Sequence, residues 1–426
     1  MSRRNPLAEA LREVKIRTPD GAEKRGLRVV EAAYAERRSS DSELRGVMTP
    51  KTSERQGRRP LPRLALALGL ATLLAAALLS PAGAAVRGWV DDAITNGAPH
   101  PEPTLARVPG GGRLLVQTGE GPVVVRADGS KRLLGDYEGA SWSPHGLFVA
   151  AVKGRTLSAL EPDGTSHWSI TAAERVAVPR WSPSGERIAY FSGFDLRVVA
   201  GDGSEDRLLA GSAPGTPPDG SVSPAYVPPA WSPTGADELA YVTGAARLRI
   251  IDSETGAVLA GAPALSRITS MDWADGGRKI LEASPGTLRL RSLLPAGHPA
   301  RPGLGGARRL ALPPGATVND AALAPQRPLV AVSVTYWKKH GTYSEVIVYR
   351  PGHGARTLLS VPGSLGQVEW SPDGRRLLAA WPGANQWLFL PLEHGSGRAI
   401  ADISKAIAPS GRPTSFPRLE GWCCRR

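Results

Sequence analysis

Apolar positions along this 426-residue chain fall into three patterns. In residues 1–63 they are sparse and helically spaced. Leu7, Leu11 and Val14 form one stripe, and Leu27, Val30 and Tyr34 form another, behind Asp20 and Glu23 at N-cap spacing. From Leu64 to Val86, 23 residues run without a charge. A helix of that length, rising about 1.5 Å per residue, spans a hydrocarbon core of about 30 Å. Beyond residue 112 the apolar residues come in runs of five or six, separated by turn residues, which is the pattern of short β-strands.

Charge orients the long apolar run. Residues 1–63 hold 16 Lys/Arg against 9 Asp/Glu, more than half of the net charge of +13. Arg55, Arg58, Arg59 and Arg63 precede the run, whereas Arg87 is followed by Asp91 and Asp92. The positive-inside rule places residues 1–63 in the cytoplasm, 64–86 as a single transmembrane helix, and the rest outside. Ala82-Gly83-Ala84 fits a signal-peptidase site, so a cleaved signal peptide is the alternative, with an unusually long n-region of 63 residues. Residues 87–112, rich in Pro and Gly, read as a linker.

A repeat governs the remainder, 113–426. Its clear copies are Trp142-Ser143-Pro144-His145-Gly146, Trp181-Ser182-Pro183-Ser184-Gly185, Trp231-Ser232-Pro233-Thr234-Gly235 and Trp370-Ser371-Pro372-Asp373-Gly374. Trp273-Ala274-Asp275-Gly276-Gly277 is weaker, and Leu323-Ala324-Pro325-Gln326-Arg327 is degenerate. An apolar strand follows each copy, then a second strand and a turn such as Asp163-Gly164 or Asp202-Gly203. Spacings of 39 to 50 residues are those of β-propeller blades. Pro and Gly set the turn, and each Trp fills the space between blades, so these residues are architectural.

Seven turns meet only six Trp-type positions inside the chain. The seventh is Trp422, in Arg418-Leu419-Glu420-Gly421-Trp422 near the C-terminus. The strand that should follow it stands instead at 113–116, so the last blade is expected to combine residues near 418–424 with residues near 113–135. The fold class is therefore all-β: a seven-bladed β-propeller, with six blades as the alternative, behind one membrane helix and a short helical cytoplasmic segment.

The repeat resembles the TolB-type, WD40-like (PD40) propeller family over roughly residues 105–426. That resemblance implies a blade-built ring used for protein contacts, in members that are often periplasmic or extracellular. Membrane-anchored propeller proteins of actinobacterial type look similar. A TolB protein has its own N-terminal domain and a cleaved export signal; a membrane helix stands there in this chain, so a Tol-system role does not carry over.

Candidate chemistry is thin. No G-x-S-x-G elbow, P-loop or Rossmann fingerprint occurs. The seven His are scattered without ligand spacing, and no nucleic-acid reading motif accompanies the basic charge. Neither a catalytic nor a cofactor nor a metal residue is assigned. Cys423 and Cys424, the only cysteines, read as two small apolar residues on opposite faces of the closing strand, with a strained vicinal disulfide as the alternative. Two insertions suit recognition: the Pro-rich loop 211–229, and a hairpin tip carrying Tyr336, Trp337, Lys338, Lys339 and Tyr343.

The expected function is a non-catalytic, membrane-anchored propeller in the bacterial plasma membrane. Its ring, outside the cytoplasm, would bind a protein, peptide or envelope ligand. The alternatives are a transmembrane signalling protein whose residues 1–63 bind a regulator such as a sigma factor, and a propeller enzyme acting on glycans or using a quinone.

Overall fold

The computed structural model describes residues 101–102, 105–211, 227–234, 237–243, 246–293, 304–325, 327–338, 341–350, 353–393, 397–413 and 415–424. The apolar run 64–86 and the segment 1–63 lie outside them. Among the described residues no helix is long and apolar enough to cross a membrane.

Seven sheets form, six of four strands and one of five. Blade 1 joins Arg418–Cys423 to Arg113–Thr118, Gly121–Val125 and Lys131–Leu133. Blade 2 runs through Gly139–Trp142, Val149–Lys153, Thr156–Leu160 and Ser166–Thr171. Blade 3 is Val176–Trp181, Arg187–Ser192, Asp195–Ala200 and Arg207–Ala210. Blade 4 is Ala230–Trp231, Glu238–Val242, Arg247–Asp252 and Val258–Pro263. Blade 5 is Ser270–Ala274, Lys279–Ser284, Thr287–Leu293 and Leu304–Leu310. Blade 6 is Thr317–Leu323, Val330–Lys338, Gly341–Arg350 and Gly354–Pro362. Blade 7 is Val368–Trp370, Arg376–Trp381, Gln386–Pro391 and Arg398–Ile400.

The first strand of each blade touches the first strands of both neighbours, and the series closes on itself from blade 7 to blade 1. The fold is a seven-bladed β-propeller. Its closing blade is shared by the two chain ends, as the repeat count implied: Leu114 pairs with Trp422 and Val116 with Leu419 across an antiparallel register. Packing starts earlier than the linker boundary read from composition. Pro101–Glu102 adds a fifth, parallel strand to blade 7, and Val108 is buried. A two-residue strand carries no periodicity by which a sequence could announce it.

The motif residues form one turn with two internal bonds. In blades 2, 3 and 7 the Gly N–H donates to the Ser carbonyl, at 2.9, 2.9 and 2.8 Å. The buried Ser hydroxyl accepts an N–H from the start of the next strand, from Phe148, Arg187 and Arg376. The glycines take φ of +64°, +77° and +62°, where a side chain is strained. Gly235 lies outside the described residues; in blade 4 the Ser232 N–H donates to the Glu238 carbonyl at 2.9 Å, as the Ser182 N–H does to that of Arg187 at 2.8 Å.

The tryptophans pack between blades and also stitch them. Trp231 Nε1 donates to the Arg180 carbonyl (2.9 Å), Trp273 Nε1 to Ala230 (2.8 Å), and Trp370 Nε1 to Ala322 (3.1 Å). Each acceptor precedes the Trp-type position of the previous blade. Around them the blade faces interlock: Phe191, Leu196 and Val198 of blade 3 meet Trp231, Leu239 and Tyr241 of blade 4. Burying side chains of this size contributes roughly 1.5–3 kcal/mol each. Between blades 4 and 5 the fully buried Glu282 is held by Arg289 (2.7 Å) and Arg291 (3.0 Å).

The seam departs from this scheme. The indole N–H groups of Trp142 and Trp181 are buried without a partner, and Trp422 donates to Gly111 instead (2.8 Å). Arg113 lies over the Trp142 ring at 5.0 Å and donates to the Gly146 carbonyl at 2.7 Å. Here the reading of two small apolar residues on opposite strand faces is corrected. Cys423 and Cys424 are bonded to each other, with Cα atoms 3.7 Å apart. Cys424 leaves the extended conformation, with φ +69°, so strict strand alternation no longer separates the two sulfurs.

Candidate functional site

On every innermost strand the residue before the tryptophan position points away from the face that carries the indole. Around the ring these residues are Ser141, Arg180, Ala230, Asp272, Ala322, Glu369 and Gly421. Three of the seven are charged, on strands that otherwise pack a core. β-Bulges bring two more carboxylates to the same wall. Glu420 is the unpaired residue where the closing strand skips register between Leu419 and Gly421. Asp320 follows the shift between Val318 and Asp320 in blade 6. A third bulge precedes Arg180, where Val178 takes φ +44°.

The result is a charged central channel built by five blades. Asp272, Asp320, Glu369 and Glu420 supply four carboxylates, and Arg180 and Arg418 supply the cations. Solvent reaches Asp272 freely and the other channel carboxylates and Arg180 in part. The surrounding wall nevertheless limits the water around each charge, which partly desolvates it.

That enclosure sets the proton affinities. Burial pushes the Glu369 carboxyl up to about 8, with the charges of Asp320 and Asp272 adding to it and Arg180 opposing. Burial raises Asp272 to about 6, against the Trp273 N–H at 2.8 Å and the Arg180 charge. Asp320 is raised by burial although it accepts the Val368 N–H at 3.0 Å. Glu420 is raised by burial, partly countered by Arg418, whose Nε donates to it at 2.7 Å. Desolvation lowers Arg180, while Glu420, Asp272 and Glu369 support its charge. At neutral pH the channel is thus a partly protonated acidic surface with one arginine set into it.

No three His, Cys, Asp or Glu side chains converge closely enough to hold a metal ion, among the described residues. The channel carboxylates instead spread over the wall, an arrangement that can receive an extended cationic group. Sequence reasoning missed this site because its four carboxylates lie 48 or more residues apart along the chain. The available signal was the charged residue directly before Trp181, Trp273 and Trp370.

The hairpin chosen from sequence joins two of the three longest described strands of the ring, Val330–Lys338 and Gly341–Arg350. Tyr336 and Tyr343 face each other across it. Lys338 Nζ sits 5.1 Å and 4.9 Å from their ring centres, and the Tyr336 hydroxyl donates to Glu345. These three side chains therefore satisfy one another. Trp337 is left 82% exposed at the tip. Lys339 and most of the loop 211–229 lie outside the described residues.

No protein-family profile matches the chain, and no curated protein matches it. Solved structures share the architecture at low identity. The Myceliophteria thermophila Cps50 (Swd1) β-propeller domain aligns at 17% identity over 69% of this chain and all of its own, with a TM-score of 0.48. Kuenenia stuttgartiensis hydrazine synthase aligns at 11% identity over 60% of this chain and 76% of its own, with a TM-score of 0.43. A chain of a mitotic checkpoint complex aligns at 13% identity over 62% of this chain and 77% of its own, with a TM-score of 0.44.

Proposed function

We propose that the protein is a membrane-tethered, extracytoplasmic and non-catalytic binding propeller that takes a positively charged segment of a protein or peptide into its acidic channel. The observation that carries this reading is the cluster of Asp272, Asp320, Glu369 and Glu420 around Arg180. Four carboxyl groups face two arginines there, Glu369 largely protonated at neutral pH, in a chain that is basic as a whole. A guanidinium or ammonium entering the channel would displace protons from Glu369 and Asp272 and gain charge-assisted hydrogen bonds. Trp337 at the hairpin tip offers a second contact for the same partner.

Titration with an Arg/Lys-rich peptide and its Glu-substituted counterpart tests this. The basic peptide should bind, about 10- to 100-fold more weakly to the Asp272→Asn/Glu369→Gln variant. Equal binding of both peptides, or an unchanged affinity in the variant, overturns the reading. Protease protection in intact cells tests the tether and its orientation separately.

A raised carboxyl such as Glu369 beside Asp320 and Asp272 also favours a second reading, a propeller enzyme using it as general acid on a glycan. Turnover of a glycan panel that disappears in Glu369→Gln would replace the first reading with this one.

A further inference from the structure

The blades are also joined at their outer rim, and one junction differs from the rest. A side chain of the outer strand caps a carbonyl in the next blade's turn between its third and fourth strands. Arg132 bonds Asp163 O (2.5 Å), Trp168 bonds Gly201 O (2.9 Å), Arg207 bonds Ser253 O (2.5 Å), and Arg356 bonds Leu392 O (2.7 Å). Between blades 3 and 4 the arginines at this corner are matched. Arg187 pairs with Asp237 at 2.9 Å and with Glu254, and Arg207 pairs with Glu254 at 3.3 Å.

Between blades 6 and 7 the match fails. Arg327, Arg350, Arg356 and His353 line one concavity with a single carboxylate, Glu393, which is largely exposed and 3.6 Å from Arg327. The Arg350 guanidinium has no hydrogen bond or ion pair among the described residues. The cavity holds about 550 Å³, and the buried Leu329 and Val348 contribute apolar lining. Volumes of this order are those of small-molecule sites. Arg327 stands where the repeat elsewhere has Gly, as at Gly146, Gly185 and Gly374. The turn at Gly374 packs on its stem: a Cβ at that glycine would lie 3.5 Å from Arg327 Cδ. The degenerate motif has thus placed a positioned cation at a turn position where the other copies have glycine.

We propose that this corner is a binding site for a small amphiphilic anion, a carboxylate or phosphate monoester held by Arg350 and Arg327, with its apolar body on Leu329 and Val348. It is independent of the channel. Arg350, unpaired among the described residues, and Arg327, whose one ion-pair partner Glu393 is largely exposed, supply the charge recognition, and the cavity limits the apolar part to a short chain or one ring.

Calorimetric titration of the full chain with hexyl phosphate, hexanoate, hexanol, hexylammonium and inorganic phosphate tests the proposal. Hexyl phosphate and hexanoate should bind saturably, at least 10-fold tighter than hexanol or hexylammonium, and inorganic phosphate more weakly than hexyl phosphate. Arg350→Gln should weaken hexyl phosphate binding about 10-fold with an unchanged melting temperature, and Glu369→Gln should leave it alone. Vesicles with phosphatidic acid that displace hexyl phosphate would assign the anion to a lipid headgroup; failure to displace it would assign the anion to a soluble ligand. Indifference to ligand charge, no saturable binding, or full binding by the Arg350→Gln protein would overturn the site.

Discussion

The two sides of the innermost strands follow different rules. Toward the neighbouring blade they present Trp231, Trp273 and Trp370, each buried and each bonded to the previous blade by the same indole contact. One position further back the same strands present Ala230, Asp272 and Glu369 toward the axis, with no common chemistry. The packed side repeats because every junction poses the same geometric problem. The channel side varies because a ring needs nothing particular there to close. Variation of charge on a wall that packing leaves free is what a binding site requires, so the comparison separates architecture from the candidate site within single strands.

Breaking the packed side should have the largest effect. Trp273→Ala removes a buried indole and its bond to Ala230, and should cost about 3–5 kcal/mol in urea unfolding. Trp142→Ala should cost clearly less, because that indole is half-buried and its N–H is already unpartnered. Equal losses would mean that the stitching bonds add nothing beyond area.

Glu282→Ala, in the same blade 4–5 region, leaves Arg289 and Arg291 without their buried partner. It should cost about 3 kcal/mol or more by chemical denaturation.

Two glycines of the motif sharpen the contrast between the seam and an ordinary junction. A Cβ at Gly185 would meet nothing closer than 3.8 Å, so Gly185→Ala should cost about 1 kcal/mol, from its positive φ alone. A Cβ at Gly146 would lie 2.6 Å from Cys423 Sγ and 2.5 Å from Arg113 Nη2. Gly146→Ala should therefore cost visibly more, and thermal melts of the pair report the difference.

The channel side should respond to pH rather than to packing. Glu369 and Asp272 hold protons in the folded protein that the unfolded chain releases near its ordinary carboxylate range, about 4. Their contribution favours folding at low pH and is lost as pH rises through about 6 and then about 8. Wild-type melting temperature should fall between pH 5 and 8.5, and Asp272→Asn/Glu369→Gln should flatten that slope. The effect is small, on the order of 1–2 kcal/mol after allowance for screening by channel water. A variant with an undiminished slope would mean that these carboxyls titrate normally.

How far the sequence could be read follows the same division. Four intact motif copies and Trp422 were enough to count seven blades and to place the shared one, because each copy carries its turn chemistry locally. Glu420 and Asp320 could not be placed, since register skips decide where they point and only the closed ring brings them near Arg180. The disulfide was the less favoured of two readings for a related reason: alternation separates neighbouring side chains only while the strand stays extended, and it ends at Cys424. The outer-rim cavity was visible only as damage to a motif, Gly replaced by Arg327, until the fold set Arg350 and Arg356 beside it.

The most direct test of the channel as a shared electrostatic site is a carboxyl titration of Glu369, followed by isotope-edited NMR with and without an arginine-rich peptide. The free protein should titrate with a midpoint of about 8, and the peptide should move that midpoint down. A midpoint near 4.5 that the peptide leaves in place would contradict the account.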